Sequence, residues 1–198
     1  PENVNTYIKL GNVLKHQGEF DESVNIFKKC VTLSPNNVDA YFNMATGLKS
    51  LKKLEESLEA YKKIIFLQPD HSLAHNNMAN IFQEQERFDE AIATYQKAIL
   101  FKPDYAEAYS NMGNTFQKLG KLDEAIEAHE KSISIDPNDY ATYYNLGNVL
   151  SEKDNLVEAV DAYEKAKVLN PNKFEIHNNI GNVYKDLGSF NKSLEAYK

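Results

Sequence analysis

Residues 106–139 read AEAYSNMGNTFQKLGKLDEAIEAHEKSISIDPND, and this stretch decides the fold because the rest of the chain repeats its pattern. Its proline, Pro137, has counterparts at Pro1, Pro35, Pro69, Pro103 and Pro171, each 34 residues from the last, and the chain has no other proline. A fixed period of this length marks a repeat architecture. The units run over 4–37, 38–71, 72–105, 106–139 and 140–173, with a shortened sixth at 174–198. With no linker between units, 1–198 is expected to form a single array.

Apolar residues inside the quoted unit recur at three- and four-residue steps, the period of a helix and not of a strand. Tyr109, Met112, Gly113 and Phe116 share one face, and Tyr143, Leu146, Gly147 and Leu150 take the same places one unit later. The fourth place reads Tyr7, Tyr41, His75, Tyr109, Tyr143, His177. The eighth reads Gly11, Ala45, Ala79, Gly113, Gly147, Gly181. Only small residues occur at the eighth place, as expected where two helices touch closely.

A turn follows at Gly18, Gly120 and Gly188, where a positive φ can stop a helix. Lys52, Glu86 and Asp154 hold that place in the other units. A second helix comes next, opened in most units by Asp or Glu, which suit a helix N-terminus. It carries a small column (Ser23, Ser57, Ala91, Ala125, Ala159, Ser193) and, one turn on, Phe27, Tyr61, Tyr95, His129, Tyr163 and Tyr197. Proline then ends the unit, since it cannot continue a helix. The fold class is therefore all-α.

A 34-residue helix-turn-helix with small residues at its eighth and twentieth places and a closing proline resembles the tetratricopeptide repeat. The likeness covers nearly the whole chain, with Tyr or His at a place where that family usually has Trp. It implies a right-handed α-solenoid of stacked units whose first helices line a concave surface, and a role in binding proteins. The last unit stops at Tyr197-Lys198 without a polar closing helix. That reads as a piece of a longer protein, whose bare ends could stack head to tail between molecules.

Composition excludes several other classes. Hydrophobic residues make up 42% and charged ones 26% of the 198 residues, enough apolar matter for a core. No apolar run reaches the roughly 18 residues that span a bilayer, and Pro1-Glu2-Asn3-Val4-Asn5 is not a signal peptide, so no membrane partner is expected. A formal charge of −7 argues against nucleic acid, which calls for a basic stripe. The single cysteine, Cys30, excludes an internal disulfide, and an intracellular setting is the default.

The non-core places of the first helices are rich in asparagine. The sixth place reads Lys9, Asn43, Asn77, Asn111, Asn145, Asn179, and the ninth reads Asn12, Thr46, Asn80, Asn114, Asn148, Asn182. Places three apart share a helix face, so ten of these twelve positions form one Asn stripe. One reading is plain polarity, since the chain has 22 Asn and repeats duplicate. Against it, Asn is a poor interior helix former, and a face selected for solubility would favour Glu, Lys or Gln. The alternative is recognition. A side-chain amide offers a donor and an acceptor, the pair that binds the backbone of an extended peptide.

This stripe resembles the asparagine ladder in the repeat region of the O-linked N-acetylglucosamine transferases. The resemblance implies a peptide-contact role for those ten asparagines, with Lys9 and Thr46 breaking the first rungs. It leaves open whether the chain is a binding scaffold, the substrate-recruiting arm of a larger enzyme, or an assembly module that does not use the stripe. Some adaptors of the repeat family clamp a chaperone's C-terminal carboxylate with Lys and Arg. Here Asp39, Glu107 and Glu175 stand near the groove instead and would repel a carboxylate.

No catalytic residue, cofactor site or metal site is expected. His75, His129 and His177 replace aromatics of packing columns, while His71 and His16 lie at helix ends and are expected to be solvated. Cys30 aligns with Ile64, Ala98, Ser132 and Ala166, a small core place. No phosphate loop or nucleophile elbow is present, and Asn191-Lys192-Ser193 fits a glycosylation sequon at the start of a helix.

Overall fold

The computed structural model describes residues 4–197, so Pro1 and Lys198 lie outside the described residues. Twelve helices and no strand occur among them. The chain divides into two compact units, Pro1–Lys102 and Pro103–Lys198. The first contains α1 (Val4–His16), α2 (Phe20–Leu33), α3 (Val38–Ser50), α4 (Leu54–Leu67), α5 (Ser72–Glu84) and α6 (Phe88–Phe101). The second contains α7 (Ala106–Lys118), α8 (Leu122–Ile135), α9 (Tyr140–Glu152), α10 (Leu156–Leu169), α11 (Phe174–Asp186) and α12 (Phe190–Ala196). Within each unit every odd-numbered helix pairs with the next, and each pair stacks on its neighbour through α2 on α3, α4 on α5, α8 on α9 and α10 on α11. This is the layout of an all-α solenoid, in which a helix pair buries its apolar face against adjacent pairs.

The boundaries follow from local chemistry. The residue before each internal proline (Ser34, Gln68, Lys102, Asp136, Asn170) is extended, with φ between −141° and −124°. The proline ring excludes the helical region from that residue. At the other turn, Gly18, Gly120 and Gly188 have φ of 83°, 69° and 70°. Lys52, Glu86 and Asp154, at the same place, are held at 60°, 59° and 66°. A left-handed conformation strains a side chain with a Cβ, and Asp tolerates it better than Glu or Lys. Glu86→Gly is therefore expected to raise stability by about 0.5–1 kcal/mol in urea denaturation, and Asp154→Gly by less.

The second helices begin at Phe20, Leu54, Phe88, Leu122, Leu156 and Phe190, and in the first four the acids that mark them in sequence start at the next residue. Asp21, Glu22, Glu55, Glu56, Asp89, Glu90, Asp123 and Glu124 fall in the first turn. There the helix dipole favours them.

The small columns explain the pairing within each repeat. A Cβ added to Gly147 would lie 2.6 Å from Tyr163 Cδ1, one on Gly113 2.8 Å from His129 Cε1, and one on Gly11 2.7 Å from Phe27 Cζ. The twentieth-place residue meets the same backbone from the side. Ser23, Ser57 and Ser193 donate at 2.8 Å to the carbonyls of Gly11, Ala45 and Gly181. In the second unit this packing builds a core of Leu146, Val160, Tyr163, Ala166, Ile176 and Ile180.

The histidines sort differently from one another. His75 is buried, its Nε2 paired with Pro69 O at 2.9 Å, and His177 makes the same contact with Pro171 O at 2.8 Å. His129 is 0% exposed with neither ring nitrogen paired. His71 is not simply solvated. Its Nδ1 accepts from Ala74 N at 3.1 Å as an N-cap, and its ring stacks on Phe42 at 5.7 Å. Cys30 is fully buried, as a core residue.

Candidate functional site

In the first unit Asn12 lies on α1, Asn43 on α3, and Asn77 and Asn80 on α5. In the second, Asn111 and Asn114 lie on α7, Asn145 and Asn148 on α9, and Asn179 and Asn182 on α11. Nine are half-buried and Asn182 is exposed. A helix face that is neither core nor fully solvated is where a bound chain can compete with water.

The amides are not equivalent. Tyr163 Oη donates to Asn148 Oδ1 at 2.8 Å, Tyr95 Oη to Asn80 Oδ1 at 2.5 Å and Tyr197 Oη to Asn182 Oδ1 at 2.6 Å. In these repeats the phenol of the second helix, buried at Tyr95 and Tyr163 and exposed at Tyr197, fixes the ninth-place amide by its oxygen. Asn148 and Asn182 thereby keep Nδ2 as the group turned to a ligand. In the repeat of Asn114 the tyrosine's place is taken by His129, and neither Asn114 nor Asn145 forms a side-chain hydrogen bond with a described residue.

Successive first helices are also joined. Asn179 Nδ2 lies 3.0 Å from Asn148 Oδ1, 3.2 Å from Tyr144 Oη and 3.4 Å from Tyr163 Oη. The sixth place of the last repeat thus touches the ninth place of the one before. An open cleft of about 320 Å³ lies over this contact, lined by Asn148, Ser151, Glu152, Tyr163, Asn179 and Asn182. In the first unit Lys15 Nζ donates to Asn43 Oδ1 at 2.5 Å and Asn43 Nδ2 donates to Asp39 O at 3.0 Å, so that rung is occupied from within. Burial pushes the Lys15 ammonium below its ordinary pKa. The Tyr163 phenol is pushed up, chiefly by burial.

Sequence reads Tyr95 and Tyr163, which hold the stripe, as a packing column and not as part of the site, and gives Tyr144, which touches it, no role. The signal was present as a spacing of 15 between Asn80 and Tyr95, Asn148 and Tyr163, and Asn182 and Tyr197. Of the acids placed near the groove, Glu175 is paired with Lys173 at 3.0 Å. Its own backbone N–H and then Lys173 hold its carboxyl below the usual range. No group of three His, Cys, Asp or Glu able to hold a metal occurs among the described residues. No helix there is long and apolar enough to cross a membrane.

The crystal structure of MamA is 28% identical, with a TM-score of 0.76 over 83% of this chain and 96% of that one. PilF of Pseudomonas aeruginosa is 18% identical, with a TM-score of 0.84 over 98% of this chain and 88% of that one. YrrB, described as a TPR protein with an unusual peptide-binding site, is 22% identical, with a TM-score of 0.71 over 86% and 88%. No curated protein matches the chain in sequence. The family models that match are all repeat models. "Tetratricopeptide repeat" covers 4–37, 38–71, 106–139 and 130–161, and "TPR repeat" covers 79–120 and 147–188. Three of these matches fall on the units that the proline spacing marks out, and together they take in most of the sequence: the chain belongs to the tetratricopeptide-repeat family.

Proposed function

We propose that this chain binds extended polypeptide along the first-helix face of its repeats through side-chain amides. Membership of the repeat family makes it a protein–protein interaction scaffold. The finer reading rests on one observation above all. In the second unit the ninth-place amides of Asn148 and Asn182 are held by tyrosine, so they are oriented donors and not free rotors. Fixing a donor before binding reduces the ordering penalty that usually erodes such contacts. Peptide carbonyls are the matching acceptors, present in every sequence, so the surface favours breadth over selectivity. That YrrB, a protein of the same fold, is described as having a peptide-binding site supports a peptide ligand for this chain. The repeats are taken to work as one array.

The cleanest test removes Asn114 and Asn145, because no phenol depends on either. Asn148→Ala would also strand Tyr163 Oη, and a loss of binding could then be a loss of folding. Asn114→Ala with Asn145→Ala is expected to weaken binding to unrelated unstructured peptides by roughly 10- to 30-fold, from about 1 kcal/mol per hydrogen bond. Isothermal titration alongside a melting curve checks it. Unchanged affinity in the folded variant would place the ligand elsewhere.

A further inference from the structure

Helix α9 carries the asparagine stripe on one face and a second surface on the other. Tyr143, Leu146 and Leu150 recur at steps of three and four, so they lie on the side of α9 away from Asn145 and Asn148. α9 packs on both α8 and α10. Between those two helices its apolar side shows at the bottom of an open groove of about 550 Å³. Leu146 and Leu150, 9% and 8% exposed, make a firm floor with Ala162, whereas Val168 on the lip is 76% exposed. An apolar floor inside a polar rim is the layout of a protein docking surface.

The rim is acidic. Glu130 of α8 and Glu158, Asp161 and Glu164 of α10 line it, with Lys165 the one cation among its described residues. Lys167 neutralises Glu164 at 2.5 Å, but Glu130, Glu158 and Asp161 are exposed and have no ion pair among the described residues. Lys165 is not particular to this groove, because its place is lysine in every complete repeat, at Lys29, Lys63, Lys97 and Lys131. The rim places of the second repeat are Lys28, Glu56, Glu59, Lys62 and Lys63. There Lys28 binds Glu56 at 3.2 Å and Lys62 binds Glu59 at 2.7 Å, so the chain supplies its own cations. In the fifth repeat three carboxylates are left for a partner to neutralise.

Carboxylates around an apolar floor attract a partner that carries cations and turn away polyanions. The chain itself, at a formal charge of −7, is a poor occupant. We propose that this groove docks a basic segment of a partner protein, seating an aliphatic or aromatic side chain on Leu146 and Leu150 and placing Lys or Arg against Glu130, Glu158 and Asp161. The surface is separate from the asparagine stripe and needs no ligand there, so one chain can hold two polypeptides on opposite sides of α9.

The test titrates the acetylated, amidated peptide Lys-Arg-Leu-Ala-Phe-Leu-Lys-Arg into the whole chain, with affinity read by NMR at the methyl groups of Leu146, Leu150 and Val168. One control peptide has Glu for every Lys and Arg, and another has Ser for Leu and Phe. At these methyls the basic apolar peptide is expected to bind about tenfold more tightly than either control, with affinity falling as salt rises. Glu130→Lys with Asp161→Lys should weaken it by roughly tenfold in a chain that melts normally, since neither carboxylate has a partner to lose. Val168→Ser, which leaves the charges alone, should weaken it by about threefold. Asn114→Ala with Asn145→Ala should leave the response at these methyls unaltered, whatever it does along the stripe. Equal binding of the acidic peptide, binding retained without Leu and Phe, or shifts absent from the groove methyls would each overturn the proposal. So would self-association of the chain that the charge reversals abolish, because the occupant would then be a second copy.

Discussion

His129→Tyr is expected to stabilise the chain and to remove most of its loss of stability between pH 6.5 and 5. His129 is fully buried with both ring nitrogens unpaired, and burial depresses its pKa from 6.5 to about 4. The folded state therefore keeps the ring neutral while the unfolded chain takes up a proton. Stability is whole above pH 6.5, falls as the pH drops below it, and stops falling near pH 4, where the folded state is protonated too. Across that window the loss from this residue is about 3 kcal/mol, and roughly 2 of it falls above pH 5, before most carboxylates titrate. Tyrosine at this place does not titrate there. It would also donate to Asn114, as Tyr163 does to Asn148, relieving a buried donor and acceptor at about 1–3 kcal/mol near neutral pH. Urea denaturation of both proteins at pH 7 and pH 5 measures the two effects. His75, also depressed chiefly by burial, should leave a smaller residual slope in the variant. A wild-type curve flat from pH 7 to 5 would mean that His129 is hydrated in solution.

The second large effect is at the eighth place. Gly147→Leu should destabilise the chain by about 3 kcal/mol or more, whereas Gly147→Ala should change stability by less than about 1. A Cβ on Gly147 already meets the buried ring of Tyr163 at 2.6 Å. Yet Ala45 and Ala79 occupy the same place over Tyr61 and Tyr95, both fully buried, so a ring can shift enough for one methyl. Alanine also gains helix propensity over glycine, about 1 kcal/mol, which offsets the contact. Leucine has no such room, because moving Tyr163 further breaks its bond to Asn148 and disturbs Ile176 and Ile180 beyond it. Thermal melts of the two variants separate the outcomes. Similar loss in both would show that the ring cannot yield at all.

The repeat and its turns were legible because each rests on a single place in the sequence. Proline every 34 residues fixes the end of a unit, and the left-handed turn is marked by three glycines whose counterparts Lys52, Glu86 and Asp154 adopt the same φ. The pairing of Asn148 with Tyr163 was less visible, because it joins a groove place to a core place. Helical periodicity assigns those to different faces and does not show that a tyrosine hydroxyl reaches from one to the other. Thr46 was seen as a gap in the asparagine stripe, but it also leaves Tyr61, 15 residues later, without the ninth-place amide to which Tyr95 and Tyr163 donate, which only three-dimensional packing reveals. The cap at His71 escaped for a similar reason, since an imidazole seldom stands at a place where Asn or Asp serves, as at Asn37 and Asp139.

The tyrosines buried between paired helices give this chain an optical property of its own. It contains no tryptophan, so its near-ultraviolet signal comes chiefly from tyrosine. Tyr61, Tyr95 and Tyr163 sit one per repeat at the same depth, but only the last two bind an asparagine carbonyl through the hydroxyl. A phenol that donates its proton to an amide carbonyl absorbs at a different wavelength from a buried one that does not. Three otherwise equivalent repeats therefore carry distinguishable chromophores, and the opening of the second repeat can be followed separately from that of the third and fifth without a label.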